Sequence, residues 1–433
     1  MKVALVGAGA SGLFCAGRLA EKGALVHLFE ANEKVGKKLF ITGKGRCNVT
    51  NASTPNEVLE NVVSNPKFLY GALFSFTSTD LIDFFENNGT PIKIERGNRA
   101  FPVSDKSSDI IKTLERYCLR NGVKIELNHK VEEIIKQDDM FKIKTVNGTF
   151  DGYDAVVVCT GGKTYSATGS TGDGYRFAKC FGHCVTQITP ALVPILLKDE
   201  YVKDIEGLSL KNVKLVATSN GKVFKELFGE MLFTKNGLSG PIALSMSSYI
   251  NKKSDIELYI DFKPALSEDQ LFARIERDVL NIKESQVSTL IAGLLPKALV
   301  SVFLKKCKIL PILKNKSLTK GQIQLIVASL KKFDVCYAGL DKLDFGIITS
   351  GGVDVKEINP KTMESKIVNG LFFIGEVLDV DALTGGYNLQ IAFSTAYIAS
   401  NSIMEKKYGN YSWWPISNRE KHTSQTFGKK TWL

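Results

Sequence analysis

The sequence predicts an α/β fold of the Rossmann type, interrupted by a β-rich, barrel-like insert and by a helical insert. Three observations predict the Rossmann-type part of this architecture. An apolar run near the N-terminus leads directly into a glycine-rich turn and a helical pattern. A second apolar run ends in Thr160-Gly161-Gly162, and a third ends in Gly375-Glu376 before another helical pattern. Strands that end in glycine-rich turns and alternate with helices are typical of a parallel sheet that binds its ligand at the carboxyl edge.

The first element carries a complete dinucleotide-binding fingerprint. Residues 3–6 predict a buried strand, the turn Gly7-x-Gly9-x-x-Gly12 follows at once, and a second strand ends at Glu30, 18 residues after Gly12. The first glycine permits a tight turn, the second lets the backbone approach a pyrophosphate, and the third lets helix and strand pack closely. We therefore expect the pyrophosphate at the helix N-terminus, beside Ala10 and Ser11, and the ribose hydroxyls on Glu30.

The two later strands indicate which dinucleotide is bound. After the strand that ends at Gly375, a helix over about 391–406 offers its N-terminus to a ligand again. This arrangement is typical of flavoproteins with the two-dinucleotide-binding-domain plan, where the last helix directs its positive end at the flavin. A second G-x-G-x-x-G, expected of a dedicated nicotinamide domain, is absent from the sequence. We therefore predict bound FAD, with NADH or NADPH as a transient electron donor.

Composition narrows the class of protein. The 433 residues are 44% hydrophobic and 23% charged, as in an ordinary globular protein of two or three domains. No apolar run reaches the length that crosses a bilayer, and the first strand begins at Lys2, so we expect no membrane association and a cytoplasmic location. The eight cysteines form no C-x-x-C pair, which argues against a disulfide framework or a dithiol centre. With four histidines and no paired ligands, we expect no metal.

The net charge of +11 is concentrated in one segment. Residues 285–333 contain nine lysines and no Asp or Glu. A segment of one sign favours a polyanionic partner, but a solvated helical face would have the same composition. If the partner is a nucleic acid, we expect six of these lysines to contact it: Lys305, Lys306, Lys308, Lys314, Lys316 and Lys320.

Four stretches together resemble one bacterial family of FAD-dependent oxidoreductases. They are residues 36–51 (GKKLFITGKGRCNVTN), 168–174 (TGSTGDG), 229–241 (GEMLFTKNGLSGP) and 375–390. The family includes aminoacetone oxidase-like proteins, a bile-acid Δ4 reductase and a ribosomal-RNA dihydrouridine synthase, and the resemblance covers about residues 1–405. It implies an FAD-binding domain at 1–190 and 345–405, with an insert between its two parts. Within the insert, alternating apolar residues and the hairpin turn Ser219-Asn-Gly-Lys222 predict a β-rich part at 191–266 and 334–344, and apolar residues at helical spacing predict a basic helical part at 267–333. A tail follows at 406–433.

The resemblance and the motifs together give a set of cofactor contacts. Besides the fingerprint residues Gly7, Gly9, Ala10, Ser11, Gly12 and Glu30, the expected contacts are Lys38, Thr42, Gly43, Gly45, Arg46, Asn48, Val131, Thr160, Gly161, Gly375, Glu376, Asp379, Gly386, Asn388, Leu389 and Gln390.

Three residues are catalytic candidates, each with a structural alternative. Cys47 is the most acidic uncharged donor of its loop, and Arg46 beside it would lower its pKa, so Cys47 could protonate a substrate. The alternative for Cys47 is a small packing residue. Tyr387 and Asn388 either contact the flavin or the substrate carbonyl, or simply form the turn before the last helix.

The resemblance and the basic helical insert suggest reduction of the C5=C6 bond of a uridine in 23S ribosomal RNA, with hydride to C6 and a proton to C5. A small-molecule flavoenzyme, either an aminoacetone-type amine oxidase or an enone reductase, is the main alternative. A third hypothesis is an RNA-binding protein that keeps FAD for structure. Trp413, Trp414 and Trp432 lie among basic residues of the tail and either stack on RNA or dock in a groove of the protein itself. The sequence does not fix the oligomeric state.

Overall fold

The computed structural model describes residues 1–408. Its strands, in chain order, are β1 (Lys2–Val6), β2 (Leu25–Phe29), β3 (Thr50–Asn51), β4 (Val62–Ser64), β5 (Ile92–Glu95), β6 (Arg99–Pro102), β7 (Lys124–Glu126), β8 (Val131–Gln137), β9 (Met140–Thr145), β10 (Gly148–Tyr153), β11 (Ala155–Val158), β12 (Thr189–Ala191), β13 (Ile195–Leu197), β14 (Ser209–Ser219), β15 (Lys222–Thr234), β16 (Gly237–Ser239), β17 (Ile256–Asp261), β18 (Phe333–Val335), β19 (Tyr337–Leu340), β20 (Ile348–Ser350), β21 (Leu371–Phe373) and β22 (Asp381–Ala382).

The helices are α1 (Ala10–Glu21), α2 (Lys37–Ile41), α3 (Pro55–Glu60), α4 (Pro66–Ser75), α5 (Ser78–Asn87), α6 (Ser107–Arg120), α7 (Asp173–Cys180), α8 (Pro241–Ile250), α9 (Glu268–Asn281), α10 (Val287–Ala292), α11 (Lys297–Lys306), α12 (Lys320–Lys331) and α13 (Tyr387–Tyr408). The last helix begins four residues earlier than the sequence predicts, directly after Gly386.

A parallel sheet of five strands, in the order β21-β11-β1-β2-β7, forms the centre of the first core. β1 lies in the middle, with Val3 opposite Ala155 on one side and Val26 on the other. The side chains of β11 are buried throughout, as expected for a strand covered on both faces. Helix α1 packs against α6 and α13. The predicted Rossmann-type fold is therefore confirmed.

The insert is an antiparallel sheet of seven strands, in the order β18-β17-β14-β15-β16-β13-β19. Its long hairpin turns at Asn220 and Gly221, both with positive φ, as the sequence Ser-Asn-Gly-Lys predicts. The two edge strands, β18 and β19, are separated in the chain by Cys336 alone. Because these neighbouring strands pair with β17 and β13 respectively, the opposite edges of the sheet meet and the insert is barrel-like.

The buried apolar residues divide into two large clusters. One joins residues 3–178 with 353–404, and the other spans residues 195–335. Helices α9 to α12 share this second cluster with the barrel strands, so the helical segment has no separate core of its own. The chain enters and leaves the insert through the antiparallel pair β12 and β20.

Candidate functional site

A cavity of about 370 Å³ lies at the carboxyl ends of the parallel strands, where ligands bind in sheets of this kind. Its wall includes the predicted positions Gly7, Gly9, Ala10, Ser11, Glu30, Lys38, Thr42, Gly43, Asn48, Val131, Thr160, Gly161, Glu376, Gly386, Asn388 and Leu389. Leu192, Ile347, Ile348, Val380 and Leu383 add an apolar part to the same wall.

The glycine turn of the cavity shows what each glycine does. A Cβ on Gly7 would lie 2.7 Å from the carbonyl oxygen of Cys159, and one on Gly12 would lie 2.0 Å from that of Gly7. Both positions therefore require glycine for packing, and Gly12 itself does not reach the cavity wall. A Cβ on Gly9 would meet no atom within 4 Å, so Gly9 leaves open space at the wall.

Two helices direct their N-termini at the cavity. Gly9 caps α1, and no side chain accepts a hydrogen bond from the N–H groups of its first turn. Gly386 and Asn388 bring the start of α13 to the other end of the wall. Neither first turn carries an acidic residue, so no carboxylate of these turns offsets the positive potential of the helix ends.

Glu30 is fixed at the end of β2. One of its carboxylate oxygens accepts a hydrogen bond from the backbone N–H of Ala8 at 2.8 Å, and the other accepts one from the backbone N–H of Asn32 at 2.9 Å. The side-chain amide of Asn32 donates to the second oxygen as well, at 2.6 Å. These bonds hold the carboxylate in the cavity wall, and the oxygen that accepts from Ala8 keeps a second lone pair for a ribose hydroxyl.

Lys38 and Glu376 form an ion pair in the wall. The Nζ of Lys38 lies 2.8 Å from one oxygen of Glu376 and also donates to the hydroxyl of Thr164 at 2.9 Å. The backbone N–H of Thr349 donates to Glu376 as well. Both predicted contacts thus reach the cavity as a pair rather than as two independent groups.

The loop after α2 has an uncommon backbone. Gly43, Lys44, Gly45 and Cys47 all have positive φ, between 57° and 83°. Gly43 and Asn48 line the cavity, whereas Gly45, Arg46 and Cys47 do not. A non-glycine residue in this region carries a steric cost, so other contacts must hold the loop in place.

Arg46 supplies those contacts. Its guanidinium pairs with Glu95 and Asp105, both at 2.5 Å, and lies over the ring of Phe101 at 4.2 Å. Lys93 bridges to the same two carboxylates. These partners engage Arg46 on the side of β5 and β6, so Arg46 stabilises the loop, and its side chain does not line the cavity.

Cys47 is fully buried, with 0% of its surface exposed. Burial raises the pKa of its thiol to about 12, which is opposite to the lowering that we expected from Arg46. Arg46 does not act on this thiol because its charge is taken up by Glu95 and Asp105. The packing alternative, not the proton donor, agrees with this environment.

The other predicted residues beside the last helix have structural partners. Asn388 reaches the wall, but its amide bonds both the N–H and the carbonyl of Ala382. The ring of Tyr387 lies against Gly385, outside the wall. Gln390 turns inward and donates to the carbonyl of Phe76. Asp379 lies 3.5 Å from Lys252.

Gly375 does not line the wall itself but packs behind it, since a Cβ there would lie 2.8 Å from the hydroxyl of the wall residue Ser11. Every segment predicted to contact the cofactor thus contributes at least one residue to the cavity wall. Within these segments, the sequence does not distinguish residues that line the cavity from residues that hold the segments together.

The cavity suits FAD. The buried Oδ1 of Asn48 and the buried hydroxyl of Thr160 line it and have no hydrogen-bond partner among the described residues. Buried polar atoms normally have partners, so these two are suited to a polar ligand. With the open space at Gly9, the free N–H groups of α1 and the carboxylate of Glu30, the wall offers the groups that a flavin dinucleotide requires.

No group of three or more His, Cys, Asp or Glu side chains that could hold a metal ion occurs between residues 1 and 408. Within the same range, no helix is long and apolar enough to cross a membrane. The tryptophans of the tail lie outside the described residues.

The chain is similar to known proteins over nearly its whole length. Residues 1–402 match the family described as "HI0933-like protein Rossmann domain". The chain is 32% identical to "Ribosomal RNA dihydrouridine synthase" of Haemophilus influenzae, over 92% of this chain and 97% of that one. It is 29% identical to "3-dehydro-bile acid delta(4,6)-reductase" of Clostridium scindens, over 94% and 99%.

The fold is also similar to a solved structure, 3-ketosteroid delta1-dehydrogenase from Sterolibacterium denitrificans. The TM-score is 0.51 at 13% identity, covering 93% of this chain and 99% of that one. The family match confirms the resemblance found in the four sequence stretches. The chain therefore belongs to the HI0933-like Rossmann family, and its fold and dinucleotide cavity are those of an FAD-dependent oxidoreductase.

Proposed function

We propose that this FAD-dependent oxidoreductase reduces the C5=C6 bond of a uridine in ribosomal RNA to dihydrouridine, with NADH or NADPH as electron donor. The observation that carries the proposal is the similarity, at 32% identity over almost the full length of both chains, to a protein named for that reaction. The cavity and the lysine-rich insert are compatible with it.

The residues of the cavity have separate tasks in this proposal. Bound FAD, when reduced, supplies a hydride to one carbon of an activated C=C bond. Gly9, Ser11 and Glu30 bind the dinucleotide, while the apolar wall that contains Leu192 and Ile347 excludes water from the rest of the cavity. Cys47 has no part, because its buried thiol lies outside the wall.

The RNA has to bring an unstacked base to this cavity. Unstacking costs a few kcal/mol, and contacts to the phosphates can offset that cost. Lys305, Lys308, Lys314, Lys316 and Lys320 are exposed and are suited to such contacts. Lys306 is exposed too, but its Nζ lies over the ring of Phe333 at 4.2 Å and donates to the carbonyl of Asp334. The Nζ of Lys314 likewise donates to the carbonyl of Glu284, so these two lysines have to leave a protein partner to bind phosphate.

The experiment supplies the purified protein with undermodified ribosomal RNA and NADPH or NADH, and maps new dihydrouridine. The test variant is K305E/K308E/K314E/K316E. The matched control is K67E/K112E, because these two lysines are exposed on helices of the Rossmann core and do not line the cavity. We expect dihydrouridine from the wild type and the control, and little or none from the test variant. No dihydrouridine from the wild type would refute the proposal.

A small-molecule reductase is the second candidate. It is favoured by the 29% identity to the bile-acid reductase and by the apolar part of the wall. A reductase of a small enone needs no lysine patch. It would therefore consume NADPH or NADH equally in the wild type and in the charge-reversed variant, and only when the enone is added.

A further inference from the structure

The loop between α11 and α12 exposes two large apolar side chains. Leu310 is 68% exposed and Ile312 is 70% exposed, with the exposed Pro311 between them. We call these three residues the apolar tip. Their neighbours Ile309 and Leu313 pack into or against the insert core, so the chain rises from the core and returns to it within a few residues.

The apolar tip is held rigidly. The N–H of Leu313 donates to the carbonyl of Leu310 at 3.1 Å, which closes a turn around Pro311. The N–H groups of Ser288 and Val287, at the start of α10, donate to the carbonyls of Pro311 and Leu313 at 3.2 and 2.8 Å. A preformed turn loses little conformational entropy when it binds, so its exposed side chains are suited to an interface.

Positive charge surrounds the tip. Lys308 precedes it, Lys314 and Lys316 follow it, and Lys305 lies one residue before the end of α11. Glu284 is the carboxylate that pairs with Lys316, at 2.8 Å. Neither Lys305 nor Lys308 forms an ion pair with any residue in the described chain. The charge around the tip is thus largely uncompensated and complements a polyanion.

We propose that the apolar tip is a wedge that inserts at a base step of structured RNA while the surrounding lysines bind the adjacent phosphates. Proteins that kink duplex DNA insert Leu, Ile or Pro side chains between base steps and bind nearby with Lys or Arg, and the tip exposes the same groups. The inference rests on the proposed function for its RNA partner and extends it: the substrate would be a folded RNA that the insert opens, rather than a free strand.

The test distinguishes insertion of the apolar tip between bases from electrostatic attraction of the RNA by the lysines. An RNA hairpin with 2-aminopurine at its loop-closing step reports unstacking by increased fluorescence, and anisotropy gives the dissociation constant. We compare the wild type with L310S/I312S and with the control L25S, since Leu25 is equally exposed, at 69%, but lies on β2 of the Rossmann sheet. The wild type and L25S should bind and unstack the hairpin. L310S/I312S should lose the fluorescence increase and bind about tenfold more weakly, or about 1.4 kcal/mol.

Other results would overturn the wedge. Equal unstacking of the hairpin by L310S/I312S and the wild type would do so. The proposal would also fail if L310S/I312S lost binding to phosphatidylglycerol vesicles but bound the RNA hairpin as the wild type does, because the tip would then be a membrane contact. The measurement uses neither NADPH nor dihydrouridine. If the wild type unstacks the hairpin but forms no dihydrouridine, only the proposed function is refuted. If L310S/I312S and the wild type form dihydrouridine equally, only the wedge is refuted.

Discussion

The Nζ of Lys38 lies 2.8 Å from a carboxylate oxygen of Glu376, and this contact joins two parts of the chain that are 338 residues apart. Lys38 belongs to the segment after β2, and Glu376 follows β21 at the far edge of the same sheet. Both line the cavity that we assign to FAD. Their charges are therefore balanced before an anionic dinucleotide arrives.

This balance predicts unequal effects of the two single substitutions. Lys38→Met leaves the Glu376 carboxylate without its ammonium partner in the wall of the cavity that would hold the anionic dinucleotide, so FAD affinity should fall by about tenfold, or about 1.4 kcal/mol. Glu376→Gln frees the positive charge of Lys38 and should weaken FAD much less. Flavin fluorescence titration of both variants and of K38M/E376Q tests this. An E376Q defect larger than that of K38M would contradict the charge argument.

Two glycines of the same turn should respond differently to alanine. Gly12→Ala places a Cβ 2.0 Å from a backbone oxygen, so we expect about 1–3 kcal/mol of destabilisation in the protein without flavin. Gly9→Ala meets no protein atom, and Gly9 has an ordinary φ of −83°. It should leave the unfolding temperature of the flavin-free protein unchanged and weaken FAD by about tenfold. Calorimetry and FAD titration separate the two; equal stability losses would refute this assignment.

The ion pairs of Arg46 predict a pH dependence. The hydrogen bond from Arg46 holds the pKa of Glu95 below its ordinary value of 4.5, and hydrogen bonds from Lys93 and then Arg46 hold the pKa of Asp105 below its ordinary value of 3.8. The contacts are therefore complete above pH 4.5 and are lost as the pH falls below 3.8 and the carboxylates take up protons. FAD release should accelerate in that acid range.

Arg46→Met should release FAD faster at neutral pH and show a weaker acid effect. Arg99→Met is the control, since Arg99 lies over the same Phe101 ring and forms no ion pair with Glu95 or Asp105 among the described residues. Stopped-flow flavin fluorescence gives the rates. If the rate of FAD release from R46M had the same values and the same pH dependence as that from the wild type, a positioning role for Arg46 would be excluded.

Burial of Cys47 predicts an unreactive thiol. At pH 8 iodoacetamide should modify the exposed Cys180 and Cys336 of the native protein and leave Cys47 unmodified. The pKa of Cys47, about 12, keeps the thiol protonated, and burial blocks access. Mass spectrometry of the native and the denatured protein gives the comparison. Cys47→Ala should keep at least about half of the reductase activity, whereas loss of a proton donor would lower it by about 100-fold or more.

The sequence predicted what depends on local spacing. The turn from Gly7 to Gly12 and the acid at Glu30 could be placed because strand, turn and helix follow each other directly. The hairpin at Asn220 and Gly221 and the helices between residues 268 and 331 could be placed from turn chemistry and apolar periodicity for the same reason. The Rossmann-type fold followed from these elements.

What depends on distant partners could not be predicted. Arg46 and Cys47 are adjacent in sequence, and only the positions of Glu95 and Asp105 show that the guanidinium turns away from the thiol. Gln390 likewise bonds Phe76, which is 314 residues away. The two inserts appeared separate by pattern, but their apolar faces meet in one core because neither the sheet nor the helices can bury their apolar side chains alone.

The pair β12 and β20 has a consequence for how this protein can diversify. Ala191 lies opposite Ile348, so the two ends of a segment of more than 150 residues are about 5 Å apart. A different segment inserted at this strand pair has to match only one pair of strand ends. Leu192 and Ile347, which directly follow and precede the pair, already belong to the cavity wall. Exchange of this insert between relatives would change the residues that face the flavin and leave the dinucleotide-binding fingerprint from Gly7 to Glu30 unchanged.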